Sequence, residues 1–208
     1  MAEAFEVIGG QRLSGVITPA GNKNEALPVI AAALLADGDV TLSNVPDILD
    51  VRTMLELIET LGAKVERRGP NEVTINGADL HCSRLEGDLT ERIRGSILLA
   101  APLLVKLGEV TVPRPGGDRV GRRRVDTHFL AFSALGAELG DGNPLRISAP
   151  QGLHGAELFL DEASVTATEN ALMAAVTAPG ETVILNAASE PHVSNLARML
   201  NAMGADID

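Results

Sequence analysis

Asp50-Val-Arg-Thr-Met-Leu-Glu-Leu-Ile-Glu-Thr-Leu-Gly-Ala-Lys-Val-Glu66 is the stretch from which the fold can be read, because the chain writes it three times. It returns as Val125-Asp-Thr-His-Phe-Leu-Ala-Phe-Ser-Ala-Leu-Gly-Ala-Glu-Leu139 and as Val193-Ser-Asn-Leu-Ala-Arg-Met-Leu-Asn-Ala-Met-Gly-Ala-Asp-Ile207. Met54, Leu55, Ile58 and Leu61 fall at helical spacing, as do Val193, Leu196, Leu200 and Met203, so each copy predicts an amphipathic helix. Gly62, Gly136 and Gly204 stand where a left-handed residue ends such a helix. They lie 136 − 62 = 74 and 204 − 136 = 68 positions apart, which sets a structural unit of about seventy residues.

Working outward, each unit holds a second, more apolar helix, expected over 24–36, 94–107 and 169–178. Helices this apolar are buried on most sides. Pro102, inside the second, predicts a kink or an early stop. Short strands should follow at Val40–Ser43, Val110–Val112 and Thr182–Leu185. Strand pairs are expected at 63–67 with 72–76 and at 137–140 with 145–148, joined by Arg68-Gly-Pro-Asn71 and Asp141-Gly-Asn-Pro144. After Gly204 only Ala-Asp-Ile-Asp208 remains, so the third unit lacks its returning strand. The reading is a fragment or a chain completed by a partner; the alternative is a domain that ends on a short strand.

Composition narrows the function. The 208 residues carry 17 Lys and Arg against 28 Asp and Glu, a net charge of −11, which speaks against a general nucleic-acid binder. There is no Trp or Tyr and only four Phe, so base-stacking platforms are nearly excluded. A single cysteine, Cys82, rules out an internal disulfide and a Cys-rich zinc site. No run of eighteen apolar residues and no leader pattern occur, so the expectation is a cytoplasmic protein without a membrane span.

Against this acidic background stands one basic cluster, Pro113-Arg-Pro-Gly-Gly-Asp-Arg-Val-Gly-Arg-Arg-Arg-Val-Asp-Thr-His128. Guanidinium forks on a glycine-rich loop suit phosphate or carboxylate recognition; a solvated loop pairing with surplus acids is the plainer alternative. Asp118, amid the arginines, suits general acid or base work, or else is a turn aspartate. Lys23 opens the first apolar helix with Asn22 or Asn24 as cap, an unfavourable place for a cation unless an anion binds there too. Arg94 takes the equivalent place in the second unit and Ser164, Thr166 and Thr168 in the third. Three such helix starts are able to converge on one anionic ligand, or are unrelated capping sites. His128, two positions from Asp126, can pair with it or be structural.

Gly21-Asn-Lys-Asn-Glu-Ala-Leu-Pro28, Pro46-Asp-Ile-Leu-Asp-Val-Arg52, Pro115-Gly-Gly-Asp118, Arg123-Arg-Val-Asp126 and Glu190-Pro191 together resemble the enolpyruvyl transferase family, specifically its UDP-N-acetylglucosamine 1-carboxyvinyltransferases. The resemblance runs along the whole chain and corresponds to the N-terminal half of such proteins. It implies an α/β fold, an inside-out α/β barrel of repeated βαβαββ units, with the third unit incomplete. Residues 1–21 would be a crossover strand region belonging to an absent second domain, and 22–208 the first domain, truncated before its last strands.

The resemblance also implies roles. Lys23 and Asn24 would contact phosphoenolpyruvate and the sugar nucleotide, Arg94 the nucleotide, and Arg123 the phosphoenolpyruvate phosphate. Asp118 would be the loop acid. Arg124, Val125, Asp126 and Thr127, with Glu162, Ala163, Ser164 and Val165, would line the nucleotide. Glu162 and Arg124 depart from the family pattern, which commonly has lysine and proline there. The implied reaction, part of peptidoglycan precursor synthesis, is addition–elimination without a metal or organic cofactor. Phosphoenolpyruvate and UDP-N-acetylglucosamine would be the partners, with neither nucleic acid nor membrane. The absent domain, or self-association at the exposed sheet edge, would complete the assembly. 3-Phosphoshikimate 1-carboxyvinyltransferase is the close rival, and a catalytically silent binding or regulatory module is the alternative of another class.

Overall fold

The computed structural model describes residues 4–85, 87–113 and 124–208. In the first unit the elements are α1 (Lys23–Ala33), β1 (Val40–Leu42), α2 (Leu49–Thr60), β2 (Lys64–Gly69) and β3 (Glu72–Asn76). The second holds α3 (Asp88–Arg92), a 3-10 helix (Arg94–Leu99), α4 (Ala100–Leu107), β4 (Glu109–Val112), α5 (Asp126–Ala134), β5 (Glu138–Leu139) and β6 (Leu145–Ser148). The third holds β7 (Glu157–Phe159), α6 (Val165–Ala175), β8 (Val183–Leu185) and α7 (Pro191–Ala202).

The expected repeat is present in backbone detail. Gly62, Gly136 and Gly204 all have positive φ (109°, 96° and 109°) directly after their helices. The histidines His81 and His154 make the same contact in two units. Each donates its backbone N–H to the carbonyl of the residue before the glycine, Leu61 or Leu135. Each ring then lies so close that a Cβ on Gly62 or Gly136 would collide with it. Asn44 and Asn186, just beyond β1 and β8, share a left-handed φ near 55°.

The sheets are small and separate. β1–β3–β2 and β4–β6–β5 are antiparallel, and β7–β8 is parallel. A parallel bridge between Arg84 and Thr111 is the second unit's counterpart of β7–β8. Among the described residues these sheets form no closed barrel. They surround the apolar helices α1, α4 and α6, whose alanine-rich faces (Ala31–Ala33, Ala100–Ala101, Ala171 and Ala174) are all buried. Small side chains let helices approach closely, and Ile30, Leu34, Leu98, Leu99 and Met173 fill the remaining space at 2% exposure or less.

Two expectations about these helices are corrected. Pro102 neither kinks nor stops its helix, because residues 94–99 form the 3-10 turn and the α-helix begins only at Ala100. Pro102 thus falls in the first α turn, where a backbone N–H has no intrahelical partner to lose. The third apolar helix starts at Val165 rather than Glu169, because the Ser164 hydroxyl caps it from Ala167 N at 3.4 Å. Sequence reading also passed over β7 and the short α3. Residues 4–20 form neither helix nor strand, and Phe5, Val7, Ile8, Leu13, Val16 and Ile17 are each at least 80% exposed.

Candidate active site at three converging helix starts

The starts of α1, the 3-10 helix and α6 converge on one cavity of about 570 Å³. Lys23 and Asn24, Arg94, Arg124, Glu162–Val165 and Thr166 line it, together with Glu169, Glu190 and His192. Residues 140 positions apart are therefore neighbours. Val125 is half-buried and Thr127 fully buried beside the cavity, the latter donating its hydroxyl to Asp161 Oδ1 at 2.9 Å. Asp118 and Arg123, with Arg114, Arg119 and Arg122, lie outside the described residues.

The rim is charged and exposed. The Asn22 side chain caps α1, accepting from Asn24 N at 2.9 Å. Lys23, the unfavourable cation at that helix start, is compensated by Asp50 in the first turn of α2, 2.9 Å away. Arg124 forks onto Asp126 and also reaches Asp161, which holds the Asp126 carboxyl below the usual carboxylate range. Its backbone carbonyl accepts from Arg94 Nη2 at 3.3 Å.

The floor is buried and differently built. His128 does not pair with Asp126: two positions along α5 it lies on a different face of the helix, and it turns inward to 1% exposure while Asp126 pairs with Arg124 at the surface. The Asn170 side-chain oxygen accepts from Ala101 N (3.2 Å), and its amide donates to the Ile97 carbonyl (3.0 Å) and to His128 Nδ1 (2.9 Å). With both amide hydrogens spent in this way, Nδ1 is an acceptor and the imidazole proton sits on Nε2. Burial, aided by Arg94, pushes the His128 pKa down to about 4, so the ring is neutral near pH 7. Nε2–H then donates to Thr166 Oγ1 at 3.1 Å, leaving the Thr166 hydroxyl hydrogen for a partner in the cavity that Thr166 lines.

Glu169, missed by sequence reasoning, lies in the second turn of α6 at 1% exposure. Its Oε1 has no hydrogen-bond partner among the described residues. Burial first, and Glu190 second, push its carboxyl up to about 8. The available signal was a polar Thr-Glu-Asn triplet, residues 168–170, inside an otherwise apolar helix. No group of three or more His, Cys, Asp or Glu among the described residues is placed to hold a metal. Among those residues, too, no helix is long and apolar enough to cross a membrane.

The cavity wall sets Lys23, Arg94 and Arg124 beside the carboxylates of Asp50, Glu162 and Glu190, so an anionic ligand entering it would take cations over from acid partners. A family model described as EPSP synthase (3-phosphoshikimate 1-carboxyvinyltransferase) matches residues 7–208. The chain is 55% identical over 204 residues to a UDP-N-acetylglucosamine 1-carboxyvinyltransferase of Bradyrhizobium diazoefficiens, covering 98% of this chain and 47% of that protein. It is 51% identical over 203 residues to the enzyme of the same name from Treponema pallidum, covering 98% and 48%. Among solved structures it resembles the enolpyruvyl transferase NikO of Streptomyces tendae, with TM-score 0.81, 25% identity and coverage of 96% and 47%. It shares the fold of an EPSP synthase from Acinetobacter baumannii, with TM-score 0.72, 22% identity and coverage of 93% and 45%. The chain spans about half the length of the curated relatives it matches.

Proposed function

This chain belongs to the EPSP synthase (3-phosphoshikimate 1-carboxyvinyltransferase) family of enolpyruvyl transferases, and from that premise we propose that it supplies one half of a UDP-N-acetylglucosamine 1-carboxyvinyltransferase site. The observation that carries the reading is the convergence of Lys23, Asn24, Arg94, Arg124 and Glu162–Val165 on one cavity. These are the positions at which the sequence resembles the family's substrate-binding stretches. The choice of acceptor follows the names of the relatives at 55% and 51% identity.

The reaction would join the enolpyruvyl group of phosphoenolpyruvate to a sugar hydroxyl. A general acid, Asp118 on this reading, protonates the methylene carbon; the hydroxyl attacks the adjacent carbon and gives its proton to a base; the new methyl group then loses a proton as phosphate leaves the tetrahedral adduct, which restores the double bond. Lys23 and Arg123 would stabilise the phosphate's charge. Arg94, Arg124–Thr127 and residues 162–165 would orient the nucleotide. Lys23 must then exchange Asp50 for a ligand oxygen, an inexpensive step for an ion pair in which both side chains are more than a third exposed. The setting would be cytoplasmic precursor synthesis for the cell wall, feeding cell growth and division. Residues 1–21 would belong with a second domain, which would cover Phe5, Val7 and Ile8, while the third unit's returning strand would cover the open edge of β8.

The experiment is direct. The 208-residue protein should bind UDP-N-acetylglucosamine in calorimetry and ignore 3-phosphoshikimate. Alone it should release no phosphate from phosphoenolpyruvate above a Lys23→Ala control. Preference for 3-phosphoshikimate would overturn the acceptor assignment. Turnover by the isolated chain would overturn the half-site reading. Binding without turnover is also what a silent sugar-nucleotide module would show. Turnover restored by adding the remaining half of a relative would decide for the enzyme.

A further inference from the structure

Glu169 is a buried titratable group of the cavity wall that the reaction outlined above leaves unused. It combines three features: 1% exposure, a buried Oε1 without a hydrogen-bond partner among the described residues, and a place in the wall of the ligand cavity. In an ionised carboxylate at that position Oε1 would forgo both water and a hydrogen bond, at large cost. It would also repel any anion drawn in by the lysine and arginines of the rim.

The surroundings do not supply an easy countercharge. α1 brings Lys23, engaged with Asp50, and Glu25, which accepts from Asn195. The 3-10 helix brings Arg94, which reaches the Arg124 carbonyl. The charged side chain of α4, Lys106, sits at its far end with Asp37. α5 brings the neutral His128 and the Arg124-bound Asp126. α7 brings Glu190, whose charge opposes ionisation of Glu169, and His192, with Arg198 further along and bonded to Asn195.

We propose that Glu169 is a neutral carboxylic acid whose proton is held for a hydrogen bond to an oxyanion of the bound ligand, a phosphate or carboxylate oxygen. Burial, with Glu190, holds the carboxyl up at about 8, which is consistent with a donor at neutral pH. The Thr166 hydroxyl, oriented by the neutral His128, stands in the same cavity wall as a second donor. The floor thereby offers hydrogens without offering charge, while the rim offers charge. The proposal rests on the cavity being the anion site described above; the source of the oxyanion, phosphoenolpyruvate or the sugar nucleotide, is left to the test.

Calorimetric titrations of the 208-residue protein with UDP-N-acetylglucosamine, and separately with phosphoenolpyruvate, at about pH 6.5 and about pH 9.5 provide that test. Wild-type affinity should fall about tenfold or more at the higher pH for whichever ligand meets Glu169. Glu169→Gln, a permanently neutral donor of the same shape, should hold its affinity within about twofold across the range. Glu169→Ala should be weakened about tenfold at both values. A wild-type pH profile surviving in Glu169→Gln, or equal losses in the Gln and Ala variants at the lower pH, would overturn the proposal. Infrared spectroscopy adds a readout that needs no ligand: a protonated-carboxyl stretch at about pH 6.5, absent from Glu169→Gln. Its absence from the wild type would also overturn the proposal. Should the wild type bind neither substrate, the substrate reading falls, and the infrared band alone decides the state of Glu169.

Discussion

The rim and the floor of the cavity handle polar groups in opposite ways. At the rim, Lys23 and Arg124 are about half exposed and are satisfied by carboxylates, Asp50 for one and Asp126 and Asp161 for the other. At the floor and in the layer behind it, Glu169, His128 and Asn170 are at most 1% exposed, and the two titratable ones are both displaced towards their neutral forms. Water accounts for the difference. Exposed ion pairs are screened and cheap to exchange, so a ligand can take over one partner. Buried groups have no such reserve, so they neutralise and lock into hydrogen bonds. The cavity uses both solutions a few residues apart.

The sharpest way to break this contrast is Asn170→Leu. It removes the bonds to Ala101 N, the Ile97 carbonyl and His128 Nδ1 at once, and should cost about 3 kcal/mol or more in urea unfolding. A loss below about 1 kcal/mol would mean that the floor is not the rigid part.

Glu169→Gln should act in the opposite direction. The carboxyl is raised in the folded state, so the native protein holds its proton while the unfolded chain has lost it between about pH 4.5 and about pH 8. Wild-type stability therefore falls as pH rises through that window. The variant should gain on the order of 2 kcal/mol at about pH 8 and nothing near pH 4, as read by thermal unfolding at the two values.

His128 has the reverse sign. Its folded pKa is depressed to about 4 from an ordinary 6.5, so its contribution is intact above the ordinary value and lost as pH falls towards 4. Acid should cost about 2 kcal/mol across that range. Nitrogen-15 shifts should report a neutral Nε2–H ring at pH 7; an Nδ1–H ring would break the chain of donors leading to Thr166. Smallest of all in stability are the rim changes. Arg124→Ala and Lys23→Ala should leave the melting temperature within error, yet weaken UDP-N-acetylglucosamine binding about tenfold. A rim variant that unfolds the protein would erase the distinction.

The fold was legible because it is periodic. Three Leu/Met-Gly-Ala endings at spacings of 74 and 68 residues marked the units, and all three glycines take the left-handed backbone that the pattern requires. Helix type was less legible. The apolar run after Arg94 reads as one helix, and only packing divides it into a 3-10 turn and an α-helix that places Pro102 harmlessly. The rim of the site was legible too, since Lys23, Arg94 and Arg124 stand out in an acidic chain. Their actual partners were not. Asp50 and Asp161 lie 27 and 37 positions from the groups they bind.

The floor escaped for a related reason. Thr166 looks in sequence like a capping residue, Glu169 and Asn170 like the opening of an apolar helix, and His128 like a partner for the nearby Asp126. By itself the sequence determined the repeat, the helical and strand periods and the placing of cations at helix starts, because these depend on neighbours along the chain. Only the tertiary structure decided which polar groups lose water. Burial is set by contacts between α5, α6 and the 3-10 helix, and burial is what turns a histidine and a glutamate of ordinary appearance into neutral hydrogen-bonding groups at about 4 and about 8.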